Sequence, residues 1–450
     1  MYQHDIIAAQ ATPPGKGGVG IIRISGNDLQ AIAKDILGKV PSPRVAEYLP
    51  FFDAEHKAID IGLAIYFPAP HSFTGEDVLE LHGHGGQVLL DLLLKRVLQC
   101  GVRLANPGEF SFRAFQNDKI DLAQAEAISD LINSTTEAAA KSAMRSLSGE
   151  FSEKIHELLE DLIHVRVYVE SAIDFPEEEI DFLADETLHK RLDELLLKIQ
   201  QVFHQAKQGA VLNEGMSVVI LGQPNAGKSS LLNCLAGHEA AIVTDIEGTT
   251  RDVLKQSISI DGMPLHIIDT AGLREDADVV EKEGIKRAWN EVEKADHVLL
   301  LIDDAKGFTE KDKQILQSIP GHLSVTIVYN KIDVKNINLP KILHADGRTE
   351  IFASIKKRQG MDLLTNHLKQ VMGYEGESDG LFIARRRHLS ALERAKLAVE
   401  TGYQQMKQQC AGELLSEDLR VAQAALNEIT GEFDNEDLLG EIFSSFCIGK

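Results

Sequence analysis

The spacing of apolar positions along this 450-residue chain changes character at three points, and each change predicts a different kind of structure. Over residues 1–118 short β-rich runs alternate with helical ones. DIIAAQAT, GIIRIS and GLAIYF predict strands, and QVLLDLLLKRVLQC predicts a helix ended by Gly101. From about Ile120 the apolar residues fall at helical spacing, first in LAQAEAISDLINS and then in FSEKIHELLEDLIHVRVYVESAIDF. In the second of these Ile155, Leu158, Leu159, Leu162 and Val165 share one face. Pro176 and the acidic EEEID run predict a loop, and ETLHKRLDELLLKIQQVFHQAKQG predicts a further helix that closes at Gly209.

The pattern switches again at Met216. SVVILG, LHIIDT, DHVLLLID and SVTIVYN are short, continuously apolar runs separated by helical segments, as a parallel sheet with crossovers requires. This region ends near Gly373, YEGESDG follows as a linker, and the remainder is helical. The predicted fold class is therefore α/β plus all-α. The expected domains are an N-terminal α/β domain (1–118), a helical first half (119–212), an inserted P-loop domain with a mostly parallel sheet (213–373), and a helical second half (374–450).

Composition narrows the possibilities. A length of 450 residues predicts about two to four domains. The start has no basic segment followed by an apolar run, and no stretch approaches the roughly 18 apolar residues of a membrane span. Four scattered cysteines (100, 234, 410 and 447) with no C-x-x-C pair argue against zinc and disulfides, and for a reducing cytoplasmic compartment. A net charge of −23 should repel nucleic acid over most of the surface, so an RNA contact needs a local basic patch or a partner.

The candidate chemistry begins in SVVILGQPNAGKSSLLNCLAG, where G-x-x-x-x-G-K-S spans Gly222 to Ser229 between a strand and a helix. Glycines let backbone N–H groups curl around phosphate oxygens, Lys228 neutralises their charge, and the Ser229 hydroxyl suits Mg²⁺. DTAG (269–272) ends an apolar run, placing Asp269 for the Mg²⁺ shell and the Gly272 N–H for the γ-phosphate. NKID (330–333) resembles the N-K-x-D signature of GTPases, in which Asp333 accepts hydrogen bonds from guanine; adenine has neither donor. GTTRD (248–252) supplies Thr250 as the switch threonine that senses Mg²⁺ and γ-phosphate. Together these motifs define a GTPase domain. Where GTPases usually show S-A-K, FASIKKRQG offers Ser354 followed by Ile355 and Lys356, so Ser354 is the expected match.

Hydrolysis cannot follow the Ras-like pattern, because Leu273 replaces the water-orienting glutamine after DTAG. Asn225 either ligates a monovalent cation that neutralises transition-state charge or simply stabilises the loop; the spacing leaves both readings open.

Segments outside this core carry a more specific resemblance. ATPPGKGGVGIIRISG, HSFTGEDVLELHGHGG, NPGEFSFRAFQNDKIDLAQAEAISDLI, the GTPase motifs and the terminal FCIGK together resemble the tRNA uridine-modification GTPases called MnmE or TrmE, nearly end to end. The resemblance implies a potassium-dependent, dimeric GTPase. It implies that the enzyme, with the flavoprotein MnmG (GidA), forms an aminomethyl or carboxymethylaminomethyl group at C5 of the wobble uridine of certain tRNAs. A reduced folate such as 5-formyltetrahydrofolate is the implied one-carbon carrier. Also implied are Glu281 for orienting water and nucleotide contacts from Asn225, Ala226, Gly227, Lys228, Ser229, Ser230, Thr244, Asp245, Ile246, Glu247, Gly248, Thr249 and Thr250. Asp269, Thr270, Ala271, Gly272, Asn330, Lys331, Asp333 and Ser354 complete that set, with Ser229 and Thr250 on Mg²⁺. Potassium would take Asn225 with Thr244, Ile246 and Thr249. Folate would take Arg23, Glu80, Lys119 and Lys450, with the Cys447 thiol beside the one-carbon chemistry. The alternative is a ribosome-assembly-type GTPase switch with no chemistry of its own, which would have no reason to carry the N-terminal domain or the FCIGK tail.

Three further motifs have plainer readings. GKGGVG (15–20) fits a dinucleotide fingerprint in letters but leads into a predicted strand, not a helix. HGHGG (82–86) offers two histidines with no evident acid or cysteine partner, which reads as structural. ARRRH (384–388) reads as a solvated helix start, with a tRNA or partner contact as the other option. The C-terminal CIGK is a poor prenylation signal because lysine ends it.

Overall fold

The computed structural model describes residues 5–174, 186–236, 255–269, 292–293, 295–334, 339–345, 348–374, 380–409, 412–432, 436–444, 446–447 and 449. The chain forms two compact units, one of residues 1–129 with 426–450 and one of residues 130–425.

The first unit is built on β1 (Ile7–Gln10), β2 (Gly20–Gly26), α1 (Gln30–Leu37), β3 (Glu47–Phe52), β4 (Ala58–Phe67), β5 (Asp77–Gly83), α2 (Gln87–Gln99), β6 (Arg103–Leu104) and α3 (Glu109–Gln116). Its six strands are ordered β3-β4-β5-β2-β1-β6, all antiparallel except the β1–β6 pair. Period-two alternation assigns the faces. Ile22, Ile24, Leu79 and Leu81 point into a core closed by Ile32 and Ile36 of α1 and Leu90 and Leu93 of α2. Arg23, Glu80 and His82 consequently stand on the opposite face. The sequence pattern foretold β1, β2, β4 and α2; it missed β3 and β5, whose mixed composition hides their alternation.

The C-terminal helix Glu436–Ser444 belongs to this same unit. Leu439, Ile442, Phe443 and Phe446 pack with Leu122 and Ala125, and the Phe112 and Phe443 rings meet edge to face at 5.1 Å. Beyond the helix, Cys447 and Gly449 lie against the first unit at Gly108 and the end of β1. The Gly108 N–H donates to the Cys447 carbonyl at 3.4 Å, and a Cβ at Gly449 would overlap the Gln10 carbonyl.

The second unit combines helices and a larger sheet. Its helical part comprises α5 (Glu137–Leu147), α6 (Glu150–Asp174) and α7 (Glu186–Glu214), after α4 (Leu122–Asn133) at the unit boundary. The five residues foreseen on one face of α6 are all buried. The expected end at Gly209 is wrong. α7 runs on to Glu214, and Gly209 is needed because a Cβ there would overlap the Phe382 carbonyl crossing the helix. Gly215, at φ +65, ends the helix instead.

From there the chain forms β7 (Met216–Leu221), α8 (Lys228–Ala236), β8 (Lys255–Ile260), β9 (Met263–Asp269), β10 (His297–Asp303), α9 (Glu310–Ser318), β11 (Ser324–Asn330), β12 (Lys341–Ala345), β13 (Arg348–Ala353) and α10 (Met361–Met372). The strand order β12-β13-β11-β10-β7-β9-β8 is parallel through its centre and antiparallel only at the two edge pairs. The expected mostly parallel sheet is therefore present. α11 (Arg386–Gln409) and α12 (Gly412–Thr430) follow, and α11 packs along α7, so helical segments from both sides of the sheet domain meet. Phe151 stacks on Phe382 at 4.6 Å, and Ser146 Oγ donates to the Ile383 carbonyl at 3.0 Å. Among the described residues no helix is long and apolar enough to cross a membrane.

One buried polar chain lies at the start of the parallel strands. His297 reaches Ser324 Oγ through Nδ1 at 2.6 Å and Thr326 Oγ1 through Nε2 at 2.9 Å, and Thr326 Oγ1 reaches His367 Nε2 at 2.7 Å. Burial, with His367 nearby, pushes the His297 pKa down to about 4, so the folded chain holds a neutral imidazole while the unfolded chain binds a proton near 6.5. Its contribution is present above pH 6.5 and disappears as pH falls towards 4, for a loss of about 3 kcal/mol. Imidazole NMR should find His297 still neutral at pH 5; titration near 6.5 would contradict the buried chain.

Candidate functional site: a guanine-nucleotide pocket and a basic–acidic cluster on the N-terminal sheet

The phosphate-binding loop follows from the end of β7. Gly222 at φ +146, Asn225 at φ +63 and Gly227 at φ +108 take left-handed or otherwise glycine-favouring backbone, which turns the loop into α8. Space is as limiting as torsion, since a Cβ at Gly222 would overlap the Leu301 carbonyl and one at Gly227 the Asn330 amide. Lys228 opens α8 and folds over the loop, its Nζ 2.6 Å from the Gly222 carbonyl. Ser229 and Ser230 are exposed in the first turn of α8, whose free N–H groups suit an anion.

The residues expected to recognise the base are tied to that loop. Asn330, at the end of β11, donates from Nδ2 to the Ala226 carbonyl at 2.8 Å, and its Oδ1 accepts from the N–H groups of Lys331 and Ile355. Lys331 donates to the Asn225 carbonyl at 2.8 Å and pairs with Asp303 at 2.7 Å. Burial alone would raise the Asp303 pKa, but Lys331 and the Ala305 N–H outweigh it and hold the carboxyl ionised. Ser354 Oγ donates to Asp333 Oδ1 at 2.6 Å, and chiefly this bond holds the Asp333 carboxyl below the usual carboxylate range. Asn330, Lys331, Asp333 and Ser354 thus converge, with Ser354 bonded to Asp333 although Ile355 follows it.

Two contributors were not legible in the motifs. Gln223 donates from Nε2 to Thr309 Oγ1 and Asp312 Oδ1, both at 2.8 Å, anchoring the loop to the capping box of α9. Asp303 carries no motif of its own, although a carboxylate closing the central strand β10 was the available signal. Asp269 ends β9, which runs parallel to β7 with Ile220 opposite it, so it reaches the same sheet end as the loop. Thr244, Asp245, Ile246, Glu247, Gly248, Thr249, Thr250, Thr270, Ala271, Gly272, Glu281 and Lys450 lie outside the described residues.

On the N-terminal sheet, Arg23 Nε sits 2.9 Å from Glu80 Oε1, as the direct register of β2 and β5 requires. The Arg23 guanidinium lies 5.8 Å from the ring centres of both Phe73 and Phe110. Lys119 runs along Gly75, and Asn117 donates to the Thr74 carbonyl at 2.7 Å. The tail reaches this region too: Gly449 meets Gln10, next along β1 from Ala9, the register partner of Arg23. Cys447 is exposed.

The plainer motifs resolve. GKGGVG leads into β2, so no helix follows it. The absence of acid partners for HGHGG is corrected: His82 meets Glu80 at 3.0 Å and His84 meets Asp60 at 2.8 Å. Among the described residues no three histidine, cysteine or acidic side chains converge as a metal site. Arg385 pairs with the buried Asp130 and only Arg386, paired with Glu214, is exposed, so ARRRH is an ion-paired, partly buried helix start and not the solvated face expected.

A largely parallel sheet whose inner strand β7 feeds a glycine-turned phosphate loop, with an N-K-x-D strand end pinned to it, defines a P-loop GTPase. The family model for the N-terminus of GTP-binding protein TrmE matches residues 6–119, and that for the MnmE helical domain matches 122–447. Proteins named tRNA modification GTPase MnmE are similar over the whole length. That of Hydrogenovibrio crunogenus is 58% identical with 99% of both chains covered, and that of Yersinia pseudotuberculosis is 57% identical with 100% of both covered. The chain belongs to the MnmE family of tRNA modification GTPases. Among solved structures, Aquifex aeolicus Era bound to GDP·AlF4⁻ is 28% identical over 41% of this chain and 66% of Era, with a TM-score of 0.28.

Proposed function

We propose that the chain hydrolyses GTP to drive a conformational cycle in which, together with the flavoprotein MnmG, it installs an aminomethyl or carboxymethylaminomethyl group at C5 of the wobble uridine of certain tRNAs. The full-length identity of 57–58% to tRNA modification GTPases supports this reading, because it includes the N-terminal domain and the terminal tail, which a bare GTPase switch lacks. In the pocket, Asp333 and Asn330 select guanine, Lys228 and the loop N–H groups hold the phosphates, and Ser354 keeps Asp333 oriented. Mg²⁺ would be held by the oxygen donors Ser229 and Thr250 with Asp269 behind them, and would neutralise phosphate charge. Asn225, exposed at φ +63 in the loop, would be the side-chain ligand of a monovalent cation. Potassium there, with the backbones of Thr244, Ile246 and Thr249, would supply positive charge to the transition state.

On the sheet, Arg23, Glu80, Lys119 and Lys450 would hold a reduced folate as one-carbon carrier. An ionised Glu80 suits a pterin's N–H groups, and the cations suit its glutamate tail. Self-association through the N-terminal domains and a cytoplasmic location complete the proposal.

Mass spectrometry of nucleosides from tRNA of cells with and without this protein tests it; unchanged wobble uridines would refute the tRNA reading and leave a ribosome-assembly switch. GTP turnover should be roughly tenfold or more faster in potassium than in sodium. Equal rates in the two salts would remove the cation role of Asn225.

A further inference from the structure

The two histidines of HGHGG do different work. His84 accompanies its own backbone N–H in binding Asp60, closing the turn after β5. His82 lies within the strand, two residues from Glu80 and so on the same face of the sheet. Its Nε2 is 3.0 Å from Glu80 Oε2, while Arg23 Nε is 2.9 Å from Oε1. Each carboxylate oxygen thus has one protein donor and a lone pair left for a ligand. Burial would raise the Glu80 pKa, but the His82 bond and the Arg23 charge more than offset this and keep the group an ionised acceptor. An ionised carboxylate accepts only, so His82 carries its proton on Nε2. Arg23 from β2 and His82 from β5 are the charged or titratable groups acting on Glu80, and β4 presents the apolar Ile65 at the facing register position.

We propose that His82 is a positioning residue of the sheet site: by donating from Nε2 it holds Glu80 turned so that its two free lone pairs meet a flat heterocycle with adjacent N–H donors. The proposal rests on the folate reading above and deepens it. Phe73, 38% exposed beside the Arg23 guanidinium, gives such a ring an apolar neighbour. A strut that only supported the fold would leave the ligand's pH dependence untouched; a donor to Glu80 would not.

The test is calorimetric binding of 5-formyltetrahydrofolate to the full chain between pH 5 and 8. Wild type is compared with His82→Leu, which lacks a donor, and His82→Gln, whose Nε2 can occupy the same place. His82→Leu should bind about tenfold more weakly. Its acid loss of binding should move to higher pH, because Glu80 without its donor protonates more readily. His82→Gln should restore both affinity and profile towards wild type. Thermal unfolding checks the variants; should His82→Leu not fold, His82→Asn, too short to reach Oε2, replaces it. Wild-type affinity and profile in the donor-free variant would overturn the role of His82 while leaving the folate reading intact. A wild-type chain that binds no folate would overturn that reading, and the inference with it.

Discussion

Replacing Asp333 by asparagine is expected to weaken GTP binding roughly a thousandfold and to strengthen binding of xanthosine triphosphate. The carboxylate is an acceptor on both oxygens, and Ser354 Oγ engages Oδ1 at 2.6 Å while leaving lone pairs for two guanine N–H donors. An amide keeps one acceptor but turns the other position into a donor, which then faces the guanine 2-amino group donor to donor. Xanthine carries a carbonyl there and matches the amide. Asn330 is unchanged by the substitution, and it still pins the phosphate loop through Ala226. Equilibrium titration with fluorescent GTP and XTP analogues gives both constants. Undiminished GTP affinity would mean that Asp333 does not face the base.

Gly449→Ala is the second large effect expected, at least roughly tenfold less modified wobble uridine with GTP turnover kept. Gly449 has φ +96, where an L-residue costs about 1–2 kcal/mol, and the added methyl would also overlap the Gln10 carbonyl. Together these favour release of Gly449 from the end of β1, and with it of the Cys447 backbone from Gly108. Cys447→Ser separates the two causes, since it removes the thiol but keeps the docked backbone. Loss of modification in both variants makes the thiol chemical. Full modification in Cys447→Ser with loss in Gly449→Ala makes the tail a structural plug. Retained modification in both would remove the tail from the reaction. Hydrogen exchange at Gly108, whose N–H donates to the Cys447 carbonyl, reports undocking directly.

What could be read in advance, and what could not, follows from the range of the interactions. The phosphate loop was legible because its glycines and its lysine act on backbone within eight residues of each other, Gly222 to Ser229, directly after a strand. The α6 face was legible for a similar reason: a helix repeats its neighbours every three or four residues, so burial prints itself as a period. Gly209 was misread because its reason lies elsewhere. A mid-helix glycine looks like a stop signal until the Phe382 backbone is seen crossing it. HGHGG was misread in part through the same limit. Glu80 was only two residues from His82, a pairing visible once β5 is known to be a strand, whereas Asp60 reaches His84 from β4.

The amino-acid sequence by itself determined the succession of helical and strand segments, the phosphate loop and the guanine motif, because each depends on side chains adjacent along the chain. Only the tertiary structure decided that Ser354 holds Asp333, that Gln223 is tied to α9, and that the terminal tail lies against β1. Those partners are brought together by sheet register and by helices packing on a shared core. Closing such long loops is governed by the packing of a whole unit, so no short window of sequence contains the information.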